Sequence, residues 1–362
     1  MPRTLNTQLT EKQAKLFNYL EKFEQKNNYP PTFEKMAQRF HVSIPTIHQR
    51  VDYLEKKGRV TREKGVKHSI RILKTMQELA PSIEIKNTQT VIIENTKVSR
   101  NVKDYLNKVY NGDVMDVLKD LPDNSVDMIF GDPDYNVGIK YNENNYTRKF
   151  EDYINWYIEL TKESMRVLKK DGNLFMMNYP KQNAHLRVKY LDSLFPDINE
   201  YVWVYNTNVG HTPRRFTTAH RSILHVRKSE DNKFFKDAVA LPYKNPTDRR
   251  VKQNIANGSK GRMPYSWFEF NLVKNVSKEK TYHSCQIPQK LTEMLISGAT
   301  KPKDTVFVLF GGSGAEIDVC KKMNRNFISA EIDKKYCDII NKRLTTGKIA
   351  TEHKLVKGRK RT

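Results

Sequence analysis

Three residues in the run Gly131-Asp132-Pro133-Asp134-Tyr135-Asn136 are the best equipped for chemistry in this chain: Asp132, Pro133 and Tyr135. Together they suit methyl transfer to an exocyclic amino group of a nucleobase. Such a nitrogen is a poor nucleophile, because its lone pair is delocalised into the ring. A carboxylate at Asp132 can accept one of its N–H bonds and the Pro133 carbonyl the other, which favours a tetrahedral, nucleophilic nitrogen in the transition state. Tyr135 can stack on a base rotated out of its duplex. Alone, the string reads equally as a strand-terminal turn, since Asp and Pro are common turn formers. The elements around it decide between the two.

The run follows Ser125-Val126-Asp127-Met128-Ile129-Phe130, a short apolar stretch that predicts a buried strand. The carboxyl end of such a strand is where open α/β sheets bind ligands. From Tyr105 the chain alternates strands and helices, which predicts a parallel or mixed sheet covered by helices. Tyr153 to Val167 reads as a helix and Leu174-Phe175-Met176-Met177 as a strand. Val202 to Tyr205 and Ile223 to Val226 read as further strands.

A second chemical element lies near the carboxyl end. Asp304 to Phe310 is an apolar strand, followed by Gly311-Gly312-Ser313-Gly314, a helix through Met323, and a strand ending at Glu331. Strand, glycine turn, helix, strand and acid form a nucleotide-binding layout. The glycines let backbone approach a ligand. Glu331 lies about 20 residues past the turn, the spacing at which a carboxylate accepts ribose hydroxyls. The dinucleotide pattern is incomplete and the Walker lysine is missing. A cofactor with a ribose but no phosphates fits, and S-adenosylmethionine is one.

With 362 residues, two or three domains are expected. The formal net charge of +23 favours a polyanionic partner, usually nucleic acid. No apolar run is long enough to span a bilayer, and the start lacks a secretory leader pattern. Cys285, Cys320 and Cys337 fit neither a zinc site nor a disulfide framework and suggest a reducing, cytoplasmic setting with DNA at hand.

Residues 1–74 predict three helices and a hairpin, a winged helix-turn-helix. Thr10 is an expected N-cap, and Leu16, Phe17, Leu20 and Phe23 recur at helical spacing. The third helix turns Thr46, His48, Gln49 and Arg50 outward, toward base edges or phosphates. Residues 75–104 read as a linker, with a short hairpin between Glu78 and Glu94. Residues 206–270 are long, irregular and basic, with Arg214 and Arg215 among many cations and Phe216 among interleaved aromatics. That mixture suits phosphate contact and base stacking, although a floppy charged insertion competes with it. Residues 346–362 form a basic tail, and its stretch from Lys354 to Arg361 is expected to be disordered.

The amino-terminal segment resembles the DNA-binding domain of the LexA repressor family. It shares the Leu-Thr-x-x-Gln opening, Pro-Pro-Thr before the second helix, and Leu-x-x-Lys-Gly before the wing. From Asn107 to Leu344, the order of Asp-Pro-x-Tyr, a basic variable region, His283-Ser284-Cys285-Gln286-Ile287-Pro288, and Phe310-Gly311-Gly312-Ser313-Gly314 resembles another family. These are the circularly permuted, beta-class amino-methyltransferases of DNA. The resemblance implies a Rossmann-like α/β methyltransferase domain over 105–345, with 206–270 as its target-recognition region. It implies that Asp132, Pro133 and Tyr135 hold the target base. It implies that Phe310, Gly311, Gly312 and Gly314, with Ser313 among them, cradle the cofactor's methionine part. Glu331 would bind the ribose and Asp113 the adenine amino group. The segment of His283, Gln286 and Pro288 would place the cofactor carboxylate. A homodimer is expected from the class.

Two departures stand out. Asp134 replaces the family's second proline, losing a rigid residue and gaining a charge. Val308-Leu309-Phe310 stands where the family often has Asp-Pro-Phe. The resemblance implies transfer to adenine N6, since Asp at the first motif position leans toward adenine. Cytosine N4 is the nearest alternative, and a DNA-binding regulator with a degenerate methyltransferase fold is the competing class. RNA or protein-glutamine methylation fits less well.

Overall fold

The computed structural model describes residues 9–27, 29–57, 59–62, 70–72, 92–93, 101–141, 144–195, 197–206, 214, 216–274, 277 and 279–354. They fall into two compact units.

The first unit holds the described residues of 1–85 and 236–264. Helix α1 (Glu11–Asn27) starts at a reciprocal capping box, with Thr10 N–H donating to Gln13 Oε1 at 3.0 Å and Gln13 N–H to Thr10 Oγ1 at 3.4 Å. Helix α2 (Phe33–Phe40) is capped by Thr32 and helix α3 (Ile44–Lys56) by Ser43. Between them His41 adopts φ 51°, which makes the tight turn. Leu16, Leu20, Met36, Ile47, Val51 and Leu54 are buried together from the three helices. Truncating one of them to Ala costs about 2–5 kcal/mol. Strands β1 (Val60–Thr61) and β2 (Arg71–Ile72) pair antiparallel as the base of the wing.

Residues 236–264 are a correction to the expected boundary. The sequence reading assigned 206–270 to one recognition region of the methyltransferase. In the structure its middle belongs with the winged helix: Arg71 Nη2 donates to the Ala240 carbonyl at 3.0 Å. Leu241 and Arg262 exchange two backbone hydrogen bonds of 2.8 Å and close a loop between them.

The second unit holds the described residues of 86–235 and 265–362. In chain order its strands are β3 (Ile92–Ile93), β4 (Lys108–Asn111), β5 (Val126–Gly131), the pair β6 (Lys140–Tyr141) and β7 (Asn144–Asn145), β8 (Leu168–Asn178), β9 (Ile198–Val204), β10 (His220–Arg227), β11 (Trp267–Glu269), β12 (Thr305–Val308) and β13 (Asn326–Glu331). The helices of the whole chain continue as α4 (Val114–Asp120), α5 (Phe150–Val167), α6 (Pro180–Leu186), α7 (Lys236–Val239), α8 (Arg249–Ala256), α9 (Gln289–Ala299), α10 (Ala315–Lys322) and α11 (Lys334–Thr346). Of these, α7 and α8 lie in the first unit.

Nine strands form one sheet in the order β11-β9-β10-β8-β5-β12-β13-β4-β3. Only the β8–β10 and β10–β9 pairings are antiparallel. Strands β5 and β12 are parallel neighbours although far apart in sequence, with Phe130 opposite Val308. From β5 the chain goes to β8 on one side, and from β12 to β13 on the other. The crevice between their carboxyl ends is therefore a topological switch point, where such sheets bind ligands. Apolar clusters cover both faces. At the other end of β5, buried Asp127 accepts from Lys169, Lys233 and the Thr305 backbone N–H and so ties β5, β8 and β12 together.

Ile92 and Ile93 form a parallel edge strand on β4. The rest of the hairpin expected between Glu78 and Glu94 lies outside the described residues. The start of the tail packs on this unit: the Tyr282 N–H donates to the His353 carbonyl at 3.0 Å, and Thr281 bridges Lys354. The stretch expected to be disordered lies, beyond Lys354, outside the described residues.

Candidate active site

Strand β5 ends at Gly131, where an added Cβ would stand 2.6 Å from Met176 Sδ and would require that side chain to shift. The chain then turns through Asp132 to Asn136, and Asn136 adopts φ 58°. Asp134 does part of the work of the missing proline, because its Oδ2 accepts the Asn136 N–H at 3.0 Å in an Asx turn. The Asn136 side chain pairs with both backbone groups of Arg148, at 2.7 and 3.1 Å. Tyr153 donates to the Asp134 carbonyl at 2.6 Å and Gln182 to the Tyr135 carbonyl at 2.7 Å. The turn is rigid by hydrogen bonding.

Asp132 faces a cavity. Burial pushes its carboxyl up to about 7, against the pull of the Tyr135 hydroxyl and the Arg221 charge. Asp134 lines the same cavity with a buried Oδ1 that has no hydrogen-bond partner among the described residues.

Tyr135 does not line that cavity. It is 4% exposed, its ring meets Tyr179 edge-on at 5.3 Å, and its hydroxyl donates to Asp132 Oδ1. Arg221 lies over Tyr135 and Tyr179, at 5.2 and 4.0 Å from the ring centroids. The ring is turned inward in this structure and its hydroxyl meets Asp132, whereas the resemblance expects it to stack on a flipped base. Pro133 is buried beside it.

The second wall is the turn after β12. The Gly311 N–H donates to the Ala330 carbonyl and the Gly314 N–H to the Gly311 carbonyl, both at 2.8 Å. Gly312 and Gly314 adopt φ 50° and 69°. A Cβ on Gly312 would stand 3.1 Å from His283 Nε2, so a side chain there would fill the cradle. This bare turn fits the ribose-bearing cofactor expected from the sequence. Glu331 Oε2 accepts the Gly312 N–H at 2.7 Å and Oε1 the Asp333 N–H at 2.8 Å. Burial raises its carboxyl to about 7.

Asp113, Asp132, His283, Phe310, Gly311, Gly312, Ser313 and Glu331 all line the one cavity. Asp113 also caps α4, accepting the Met115 N–H at 2.8 Å. Burial lowers the His283 imidazole to about 4, so the ring is neutral at pH 7. Gln286, Pro288 and Gly314 do not line the cavity. Gln286 is spent on backbone, accepting from the Thr281 N–H at 3.1 Å and donating to the Glu279 carbonyl at 2.6 Å. Pro288 is the N-cap of α9, and Gly314 packs against Ile340.

The sequence reading missed several wall residues: Tyr141, Tyr146, Arg148, Trp156, Cys285 and Glu316. Trp156 lies on α5, in the stretch that reads as a helix. Burial pushes the Cys285 thiol up, so it is no thiolate nucleophile.

The predicted DNA-facing residues divide similarly. Gln49 is exposed and Arg50 half-buried on α3, while the Thr46 backbone N–H is held by the Ser43 cap at 3.4 Å. His48 is exposed and stacks on Phe33, with ring centroids 3.9 Å apart. Arg214 is exposed, Arg215 lies outside the described residues, and Phe216 is 99% exposed beside them in sequence.

A family model described as DNA methylase matches residues 126–342, and one described as LexA DNA binding domain matches residues 6–67. Type II methyltransferase M.BglII of Bacillus subtilis is 33% identical over 251 residues, 66% of this chain and 68% of that protein. DNA adenine methyltransferase YhdJ of Escherichia coli (strain K12) is 28% identical over 258 residues, 70% of this chain and 87% of that protein. Among solved structures, PvuII DNA methyltransferase (cytosine-N4-specific) is 19% identical with a TM-score of 0.49, over 66% of this chain and 93% of that one. The chain belongs to the N6/N4 DNA methylase family, with a LexA-like DNA-binding domain at its amino terminus.

Proposed function

We propose that this protein is a site-specific methyltransferase that moves a methyl group from S-adenosylmethionine to the N6 amino group of adenine in double-stranded DNA, inside the cell. One observation carries the reading: Asp132 and the glycine turn open into the same cavity at the switch point of the sheet. Bound there, the cofactor supplies a methyl group on a sulfonium, a leaving group that needs no covalent enzyme intermediate.

The chain's own residues supply the rest. Asp132, ionised, accepts one amino N–H, and the Pro133 carbonyl is the acceptor for the other. Tyr135 fixes the Asp132 rotamer through its hydroxyl. Tyr141, Tyr146 and Trp156 give the cavity an aromatic wall against which a flipped base packs. Glu331 takes ribose hydroxyls on the lone pairs that its two backbone donors leave open. Arg214 and Phe216 suit phosphate contact and stacking, and Gln49 and Arg50 suit contact through the winged helix.

Adenine is favoured over cytosine by the aspartate at the first motif position and by the relative named as an adenine methyltransferase. Digestion of the methylated DNA to nucleosides tests the choice: N6-methyladenine supports it, and N4-methylcytosine keeps the mechanism but moves the substrate. Asp134 is the feature that favours a regulator without transfer activity. Binding of cofactor and DNA with no methylated product would select that reading.

A further inference from the structure

Glu316 sits in the first turn of α10, directly after the glycine turn, and is 6% exposed. Its side chain lines the cavity. Among the described residues it forms no ion pair; its one hydrogen bond is to its own backbone N–H. Arg343, whose charge reaches it, is engaged elsewhere, with Asp318 at 3.5 Å and the Ser313 carbonyl at 3.0 Å. The strand side of the turn offers no carboxylate, because Val308 and Leu309 are apolar and buried. A buried acid with no cation is costly unless it stays neutral or a ligand brings the charge. Among the described residues, Arg148 is the one Lys or Arg on a wall that also carries Asp113, Asp132, Asp134, Glu331 and Asp333.

Resting on the function proposed above, we propose that Glu316 is the carboxylate that receives the positive charge of S-adenosylmethionine, and so sets the preference of the site for a cationic cofactor. The cofactor carries two such charges, the sulfonium and the methionine ammonium, and either satisfies the same group. Burial first, and then the nearby Asp132 and Glu279, raise the Glu316 carboxyl to about 8, partly offset by its own N–H and by Arg343. Without a cation beside it, Glu316 is therefore protonated at neutral pH. A bound cation favours the carboxylate, so binding releases a proton and tightens as pH rises toward 8. Asp132 and Glu331 titrate in the same cavity, so the contribution of Glu316, with its coupling to Asp132, is read as the difference between wild type and a Glu316 variant.

Calorimetry on the full chain, from pH 6.5 to 8.5 in two buffers of different ionisation heat, reads affinity and proton release together. Glu316→Gln mimics the neutral acid in shape, so its melting temperature at pH 6.5 matches wild type. The variant is expected to bind S-adenosylmethionine about tenfold more weakly at pH 8.5 and to release about one proton fewer at pH 7. S-adenosylhomocysteine separates the two charges, since it keeps the ammonium and lacks the sulfonium. Weakening of both ligands identifies the ammonium and weakening of S-adenosylmethionine alone the sulfonium, and either supports the role. Equal affinity and equal proton release in wild type and variant overturn the inference while leaving the methyltransferase reading intact. No binding by wild type overturns both.

Discussion

The hydroxyl of Tyr135 donates to Oδ1 of Asp132, so the motif's aromatic residue points into the protein and holds the carboxylate that faces the cavity. The tyrosine is therefore coupled to the protonation of its neighbour.

That coupling fixes a pH dependence. Asp132 must be ionised to accept an amino N–H, and burial raises it to about 7. Transfer is expected to rise with pH through about 7 and then level off. Tyr135→Phe removes a hydrogen bond that favours the carboxylate, so the midpoint of the kcat profile moves to higher pH. The rate at pH 7 falls several-fold and partly recovers at pH 9. A profile with an unmoved midpoint would show that the hydroxyl is only structural.

The same carboxyl weakens the fold. Its folded pKa lies above its unfolded value of 3.8, so its stability contribution is present below that value and is lost as pH rises through about 7. Asp132→Asn keeps an acceptor for Tyr135 without the buried charge. The variant is expected to be inactive, yet more stable than wild type by about 2 kcal/mol at pH 8, with the gap closing by pH 4. Denaturant titrations at the two pH values measure it. A gap independent of pH would contradict the assignment of strain to Asp132.

Gly312→Ala places a methyl group 3.1 Å from His283 Nε2 at a residue with φ 50°. Gly347→Ala meets a similar φ of 67° with nothing within 4 Å. Both pay about 1–2 kcal/mol for the left-handed backbone, but only Gly312→Ala is expected to lose cofactor affinity, by tenfold or more. Equal affinity in the two variants would remove the glycine turn from the cofactor site.

Helix α8 buries none of its residues and carries Arg249, Arg250 and Lys252 in the unit that contains the winged helix. Replacing all three with alanine is expected to reduce the slope of log K against log salt for DNA by about 2 to 3. Cofactor affinity should not change. An unaltered slope would leave these cations as a solvated face.

Local patterns made much of this legible. Thr10, Thr32 and Ser43 cap helices whose apolar spacing is plain in the sequence, and the turns at Asp132 and Gly311 follow short apolar strands. What escaped depends on contacts between distant residues. The inward turn of Tyr135 follows from Asp132, Tyr179 and Arg221 converging on it. The placement of 236–264 with the winged helix rests on contacts such as Arg71 to Ala240, which no local pattern announces. Trp156 and Glu316 lie in stretches that read simply as helices, and they meet at one cavity because the sheet brings α5 and α10 to its switch point.

The most direct test of the central claim is methyl transfer from labelled S-adenosylmethionine to unmethylated genomic DNA, with wild type and Asp132→Ala side by side and the nucleosides identified by mass spectrometry. N6-methyladenine in the wild-type reaction and none in the variant is the expected result. A wild-type protein that binds both cofactor and DNA yet leaves no methylated nucleoside would contradict it.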